Sequence, residues 1–305
     1  MRVRDLLRLG LPAALVLSAC SAAASSPSPT GPGSPAPSNP PASQPAPSPT
    51  AEGAATLLLR VTTEGGFIGP AANLAALPQV TVLSDGRILT PAPVDAIYPG
   101  PLVLPVSVRN VGPSGAAAIL AAIRAAGLDT QLPAGGGIAA DTGKTVFLVN
   151  VDGKQVTNRL VLGGGGPGRP GGGASPDPAA AAAADLLAKL ADPGETWGAA
   201  SAPDSPFVPV GFRVYVAPGA PVGDGSTTEP TIAWPLSTPL ASFGVPAVPD
   251  RGIAGLRQGV VLGADAQALL PILNRSNVLT PFGSAGQVFT LYVRVLLPDE
   301  VPAQG

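Results

Sequence analysis

Gly166-Pro167-Gly168-Arg169-Pro170-Gly171 spells G-x-G-x-x-G, the loop that cradles a pyrophosphate when it joins a strand to a helix. That chemistry needs backbone N–H groups aimed at the phosphate and a helix that begins inside the motif. Here proline removes two of the donors, the next expected helix starts near Asp177, and the preceding strand belongs to a hairpin. A surface loop is the better reading. Asp224 to Glu229, spelled DGSTTE, has one carboxylate at each end and could clasp calcium, but this is a thin set for an ion that takes six to eight oxygens. Other acids fall at turns and helix starts (Asp85, Asp152, Asp177, Asp265), which does not suggest the carboxylate pair of a glycosidase. The chain has no histidine, which excludes Ser-His-Asp and Cys-His catalysis and imidazole metal sites. G-x-S-x-G and S-x-x-K are absent as well. The chain is therefore expected not to be an enzyme, with no catalytic, cofactor-binding or metal-binding residue.

One thiol is left. Cys20 closes a segment in which Arg2, Arg4 and Arg8 precede an apolar run from Leu9 to Leu17, followed by the small residues Ser18 and Ala19. Such a segment has the parts of a secretory leader. Its apolar run is shorter than the about 20 residues that span a bilayer. An exported protein with one cysteine cannot use it for an internal disulfide. Leu17-Ser18-Ala19-Cys20 resembles the lipobox of bacterial lipoproteins. The resemblance implies that the thiol takes a diacylglycerol, that the chain is cut before Cys20, and that the new amine is acylated too. Two or more acyl chains anchor stably, where one is marginal. Cys20 is thus the expected lipidation site, on the extracytoplasmic face of the cell membrane.

Removing the leader takes three arginines and one aspartate from 17 basic and 19 acidic residues, so the remainder carries a net charge of about −4. Nucleic acid is not an expected partner of such a chain, because it calls for a basic patch. The expected partners are the membrane, through Cys20, and an envelope protein or polymer. Residues 21–50 are Pro, Ser, Ala and Gly with almost nothing to bury, which predicts a disordered stalk. Its extended limit is about 90 Å.

Beyond the stalk, 39 glycines and 39 prolines predict short elements joined by irregular loops. Strands are expected at 56–64, 104–111, 210–216, 231–236 and 287–297. Hairpins are expected around Asp85-Gly86 and Asp152-Gly153, whose residues tolerate the positive φ of tight turns. Helices are expected over 113–126, stopped at Gly127, over 178–191 with Asp177 as N-cap, and over about 265–276, with Pro271 inside it. Each carries an i, i+1, i+4 apolar set: Ile119, Leu120 and Ile123; Leu186, Leu187 and Leu190; Leu269, Leu270 and Leu273. Arg60, Arg213 and Arg294 lie inside strands and read as solvent-face residues. Trp197 and Trp234 read better as core than as a binding face.

The fold class expected is α+β: a mostly antiparallel sheet of hairpins with about three helices on it, after the disordered stalk. The segments expected are a leader at 1–19 and the lipidated cysteine with its stalk at 20–55. An α+β first half follows at 56–195. Residues 196–305 form the second half of the same domain or a small second one. Residues 57 to about 192 resemble emfourin-type inhibitors of thermolysin-like metalloproteases. The matching pieces are RVTTEGGFIG, SGAAAILAAIRAAGL, the 145–162 hairpin and ADLLAKL. The departures are a Pro-rich insertion at 70–101, the Gly-rich loop and the second half. As a whole the chain looks like lipoproteins of GC-rich Gram-positive bacteria. The reading is a lipid-anchored surface lipoprotein with a non-catalytic binding ectodomain, or alternatively a tethered emfourin-like inhibitor.

Overall fold

Asp152 and Gly153 both have positive φ, 53° and 75°. They form the two-residue type I′ turn between strands β5 (Lys144–Val151) and β6 (Lys154–Leu160) that their spelling predicts. The computed structural model describes residues 55–65, 69–133, 143–162, 177–191, 197, 204–223, 225, 229–247 and 252–302. The leader, Cys20, nearly all of the stalk, the 163–176 loop and the Asp192-Pro193-Gly194 helix stop lie outside the described residues.

The other Asp-Gly turn, between β2 (Val80–Leu83) and β3 (Arg87–Pro91), departs from expectation. Only Gly86 is left-handed, at φ 89°, and its N–H donates to the Leu83 carbonyl over 3.1 Å. A glycine closing a three-residue loop does the work expected of an Asp-Gly pair. The two glycines should respond differently to alanine. A Cβ at Gly153 meets nothing within 4 Å, so backbone strain alone acts, about 1 kcal/mol. At Gly86 it would run into the backbone of Gly112. Gly86→Ala should therefore cost at least about twice as much as Gly153→Ala in urea denaturation. Equal midpoints would contradict the close approach.

The first sheet runs β6-β5-β1-β2-β3-β4-β7, with β1 at Leu57–Glu64, β4 at Val106–Asn110 and β7 at Ser205–Pro206. All its pairings are antiparallel. Strand alternation turns Leu59, Val61, Val80, Val82, Phe147 and Val149 to one face. Helices α2 (Gly112–Ala125) and α3 (Pro178–Ala191) cover it with Ile119, Ile123, Ala183, Leu186 and Leu190. α2 ends as expected: Gly127 has φ 70°, and the Leu128 N–H donates back to the Ile123 carbonyl over 3.1 Å. Asp177 caps α3 by accepting the Ala179 N–H at 3.0 Å.

Among the described residues one polar side chain sits within this core. Asn158 on β6 is fully buried. Its Nδ2 donates to the carbonyls of Leu128 and Thr130, both at 3.0 Å, and its Oδ1 accepts the Leu132 N–H at 2.8 Å. It thereby fastens the segment that leaves α2, whose backbone groups have no ladder to join.

The second sheet runs β10-β11-β8-β13-β12-β9. Its strands are β8 (Gly211–Pro218), β9 (Ile232–Ala233), β10 (Val245–Pro246), β11 (Arg257–Leu262), β12 (Phe282–Ser284) and β13 (Gln287–Val295). Only the β9–β12 pairing is parallel. Phe212, Val214, Val216, Leu291, Val293 and Val295 share a core with Ala266, Leu269 and Leu273 of helix α4 (Gly263–Asn274). Leu83, Leu89, Leu102 and Val106 from the first half join the same core. On the opposite face Tyr215, Ala217 and Tyr292 pack with Leu256 and with Leu74 of the short helix α1 (Pro70–Ala75). Among the described residues three of the four sheet edges, β7, β9 and β10, are two-residue strands, and β7 and β10 each include a proline.

The class is α+β, with two mostly antiparallel sheets and, among the described residues, four helices. In α2, α3 and α4 the i and i+4 members of each apolar triple are buried and the middle one is half-buried, as a helix laid on a sheet requires. Pro271 sits on the exposed side of α4 and leaves out one bond to the Gln267 carbonyl without ending the helix. The strand expected at 231–236 shrinks to Ile232–Ala233. Trp234 turns its ring into the core, and Pro235 has no N–H for a ladder.

Candidate functional site

The stretch 92–105 links β3 to β4 and has prolines at 93, 99, 101 and 105. Proline has no N–H to give a sheet, so the segment leaves the ladder and arches as a loop. Its base closes where the Ala92 N–H donates to the Pro105 carbonyl at 2.9 Å. Its crown is held to the end of α4 by two bonds of 3.0 Å, from Leu102 N–H to the Ser276 carbonyl and from Val278 N–H to the Gly100 carbonyl. Leu102 is buried beneath. Between loop and helix end lies an open groove of about 530 Å³.

One wall of the groove is apolar, made by Val94, Ile97, Pro99 and Pro101, and the other is residues 274–277. Ile97 and the adjacent Tyr98 are 67% and 61% exposed, large apolar side chains left in water beside a concave surface. The polar groups at the helix end are largely used within the chain. Ser276 donates to the Ile272 carbonyl at 2.8 Å, and the Asn277 Oδ1 accepts the Leu279 N–H at 2.9 Å. Asp95 and Arg275 give the lining one charge of each sign. Such a site can hold an extended apolar segment. Its one carboxylate is Asp95, and its one hydroxyl, Ser276, gives its proton to the Ile272 carbonyl.

A second polar feature corrects an expectation. Arg60 and Arg294 are not solvent-face residues: their side chains are 17% and 15% exposed. Both meet the turn Pro298–Glu300 that follows β13. Arg60 on β1 grips Asp299 with two bonds of 2.7 and 2.8 Å and reaches Glu300 at 3.1 Å. Arg294 on β13 forks onto both oxygens of Glu300, at 2.6 and 2.8 Å. Glu300 also accepts the Leu297 N–H at 3.2 Å. The quartet ties the first sheet to the last strand of the second. Burial, the largest single influence, pushes the Glu300 carboxyl up, but Arg294 and Arg60 together outweigh it and hold it below its ordinary value. For Asp299 burial prevails over the Arg60 pair, with the Glu300 charge adding to it, and the carboxyl titrates above its ordinary range.

Arg213 is the third strand arginine. It faces Arg294 across the β8–β13 pairing, and its Nε is buried. Solvent exposure does not account for that atom either. Trp234 matches its expected core role: it is 8% exposed, meets Phe243 and Phe282 edge-on at 6.0 and 6.4 Å, and donates its Nε1–H to the Thr238 carbonyl at 3.0 Å. Trp197 packs against the α2/α3 core. Gly166 to Gly171 lie outside the described residues, as do Asp224 and residues 226–228 of the candidate calcium loop. Among the described residues no three acidic or thiol side chains stand together as a metal site, and no helix is long and apolar enough to cross a membrane.

The groove went unread in the sequence because its walls, Val94–Pro101 and residues 274–277, lie far apart in the chain and its prolines looked like mere insertion. The quartet left one local trace, the run Pro298-Asp299-Glu300 after a long strand. No protein-family model matches the chain, and neither does any curated protein or solved structure.

Proposed function

We propose that this chain is a lipid-anchored surface lipoprotein whose folded part binds an envelope protein or polymer without turning it over. The observation that carries the tether is Leu17-Ser18-Ala19-Cys20 directly after the apolar run from Leu9 to Leu17. Support for binding comes from the groove beside Ile97 and Tyr98, apolar on one wall and singly charged at Asp95 and Arg275. A tether suits presentation of such a surface better than catalysis on a diffusing substrate, and the partner's chemistry follows from the wall: an extended apolar stretch.

Cys20→Ala tests the tether. The variant should move from the membrane to the soluble fraction and lose the lipid mass on its N-terminal peptide. A variant still processed and membrane-bound like the wild type would end this reading. Ile97→Asp combined with Tyr98→Ala tests the binding surface, since it should abolish capture of any envelope component retained by the wild type. Panels of peptide, ester, glycoside and phosphate substrates should show no turnover above buffer. Stoichiometric inhibition of a thermolysin-like protease would instead favour the inhibitor that residues 57–192 resemble.

A further inference from the structure

Among the described residues four buried polar side-chain atoms have no hydrogen-bond partner, and three of them border the ion quartet: Arg60 Nε, Thr81 Oγ1 and Arg213 Nε. Thr81 stands opposite Arg60 in the β1–β2 register, and Arg213 stands opposite Arg294 in the β8–β13 register. Arg60 and Arg294 in turn share Glu300. Buried polar groups are rarely left unpaired; Thr81 flanks the quartet on the Arg60 side and Arg213 flanks it on the Arg294 side. The polarity of these atoms can be read. Both nitrogens donate, and the threonine hydroxyl can donate.

The charges point the same way. Like charges directly opposite in a sheet repel. Glu300 neutralises Arg294, whereas Arg213 makes no ion pair among the described residues. Three guanidinium groups thus stand with two carboxylates, leaving one positive charge over. Arg213 is only partly buried, so its guanidinium can be reached from solvent. The planar fork of a guanidinium fits two oxygens of one carboxylate or phosphate group.

We infer that Arg213 anchors a binding site for a compact oxyanion, a phosphate or carboxylate group, at the border of the Arg60–Asp299–Glu300–Arg294 quartet. The site is separate from the groove and independent of the lipid tether. It makes the ligand a counter-ion for the strand arginines, so that binding and the stability of the joint between the sheets are linked.

The test titrates the purified full chain with inorganic phosphate and, separately, with acetate, against sodium chloride at matched ionic strength. Melting temperature and calorimetry are the readouts. At least one of the two oxyanions should bind saturably and raise the melting temperature beyond chloride, and which one does so identifies the group recognised. Arg213→Met should weaken that binding about tenfold or more. Arg124→Met, at an exposed pair with Asp152, should leave it unchanged. If Arg213→Met does not fold, Arg213→Lys replaces it: it keeps the charge, loses the fork, and should also bind about tenfold more weakly. Responses to phosphate and acetate that both match chloride, or Arg213 variants that bind like the wild type, would overturn the assignment.

Discussion

Glu300→Gln is expected to destabilise the fold by about 3 kcal/mol, the scale of removing one partner from a buried ion pair. Glutamine keeps the shape and an acceptor oxygen. It leaves the forked guanidinium of Arg294, 15% exposed, without its counter-charge, and takes one of the contacts of Arg60. Chemical denaturation at neutral pH reads the loss directly. Its pH dependence is more diagnostic. Because Glu300 titrates below its ordinary value in the fold, its contribution is complete above 4.5 and disappears as pH falls through the lower folded value. Asp299 has the opposite sign: its raised folded value means that stability is gained as it takes up a proton in acid and lost as it ionises. In the wild type the two carboxyls thus act in opposite directions as pH falls through the acid range, Glu300 losing its contribution and Asp299 gaining one. In Glu300→Gln only the Asp299 contribution is left of the two, so the acid limb should flatten or rise. An acid limb as steep as that of the wild type would show that the quartet contributes no net stability.

The second large effect is expected at Asn158. Leucine has similar volume but would strand two carbonyls and one N–H that Asn158 now satisfies, each worth about 1–3 kcal/mol when buried without a partner. Water can reach part of that segment, so the expected cost of Asn158→Leu is about 3 kcal/mol. Asn158→Asp should be worse at neutral pH, because it sets a carboxylate in a fully buried site facing two carbonyl oxygens. Its stability should recover as pH falls, since burial raises such a carboxyl and the protonated form can donate again. An Asn158→Leu protein within about 0.5 kcal/mol of wild type would mean that the segment after α2 holds itself.

Local signals in the chain were legible, and contacts between distant residues were not. Asp152-Gly153 specifies its turn through two adjacent φ angles, and Gly127 ends α2 through one. Leu269 and Leu273 announce a buried helix face although Pro271 lies between them, because the proline falls on the other side. Strand β11 gave no such signal. Gly259 interrupts its alternation, and is needed there because a Cβ would press on the ring of Phe243 at 2.5 Å. Arg60 looked like a surface residue because its partner Glu300 lies 240 positions away, and a strand's own pattern cannot distinguish water from a distant carboxylate. The Pro-rich 92–105 loop showed in its composition that it would not be strand, but not that its crown would seat against the end of α4.

If the proposed tether at Cys20 holds, the short outer strands bear on how crowded copies of this protein behave. An open sheet edge is a row of unpaired backbone donors and acceptors, and crowding favours edge-to-edge joining into fibrils. β7, β9 and β10 give a neighbour two residues each, and the prolines of β7 and β10 remove a donor apiece. Among the described residues the one long edge, β6, exposes Lys154, Gln155 and Arg159, the last paired with Glu64 at 3.0 Å, so that a charged, solvated row faces any neighbour. Under the proposed tether, dense packing would therefore leave these molecules as separate, solvated heads, each with its own groove open to solvent.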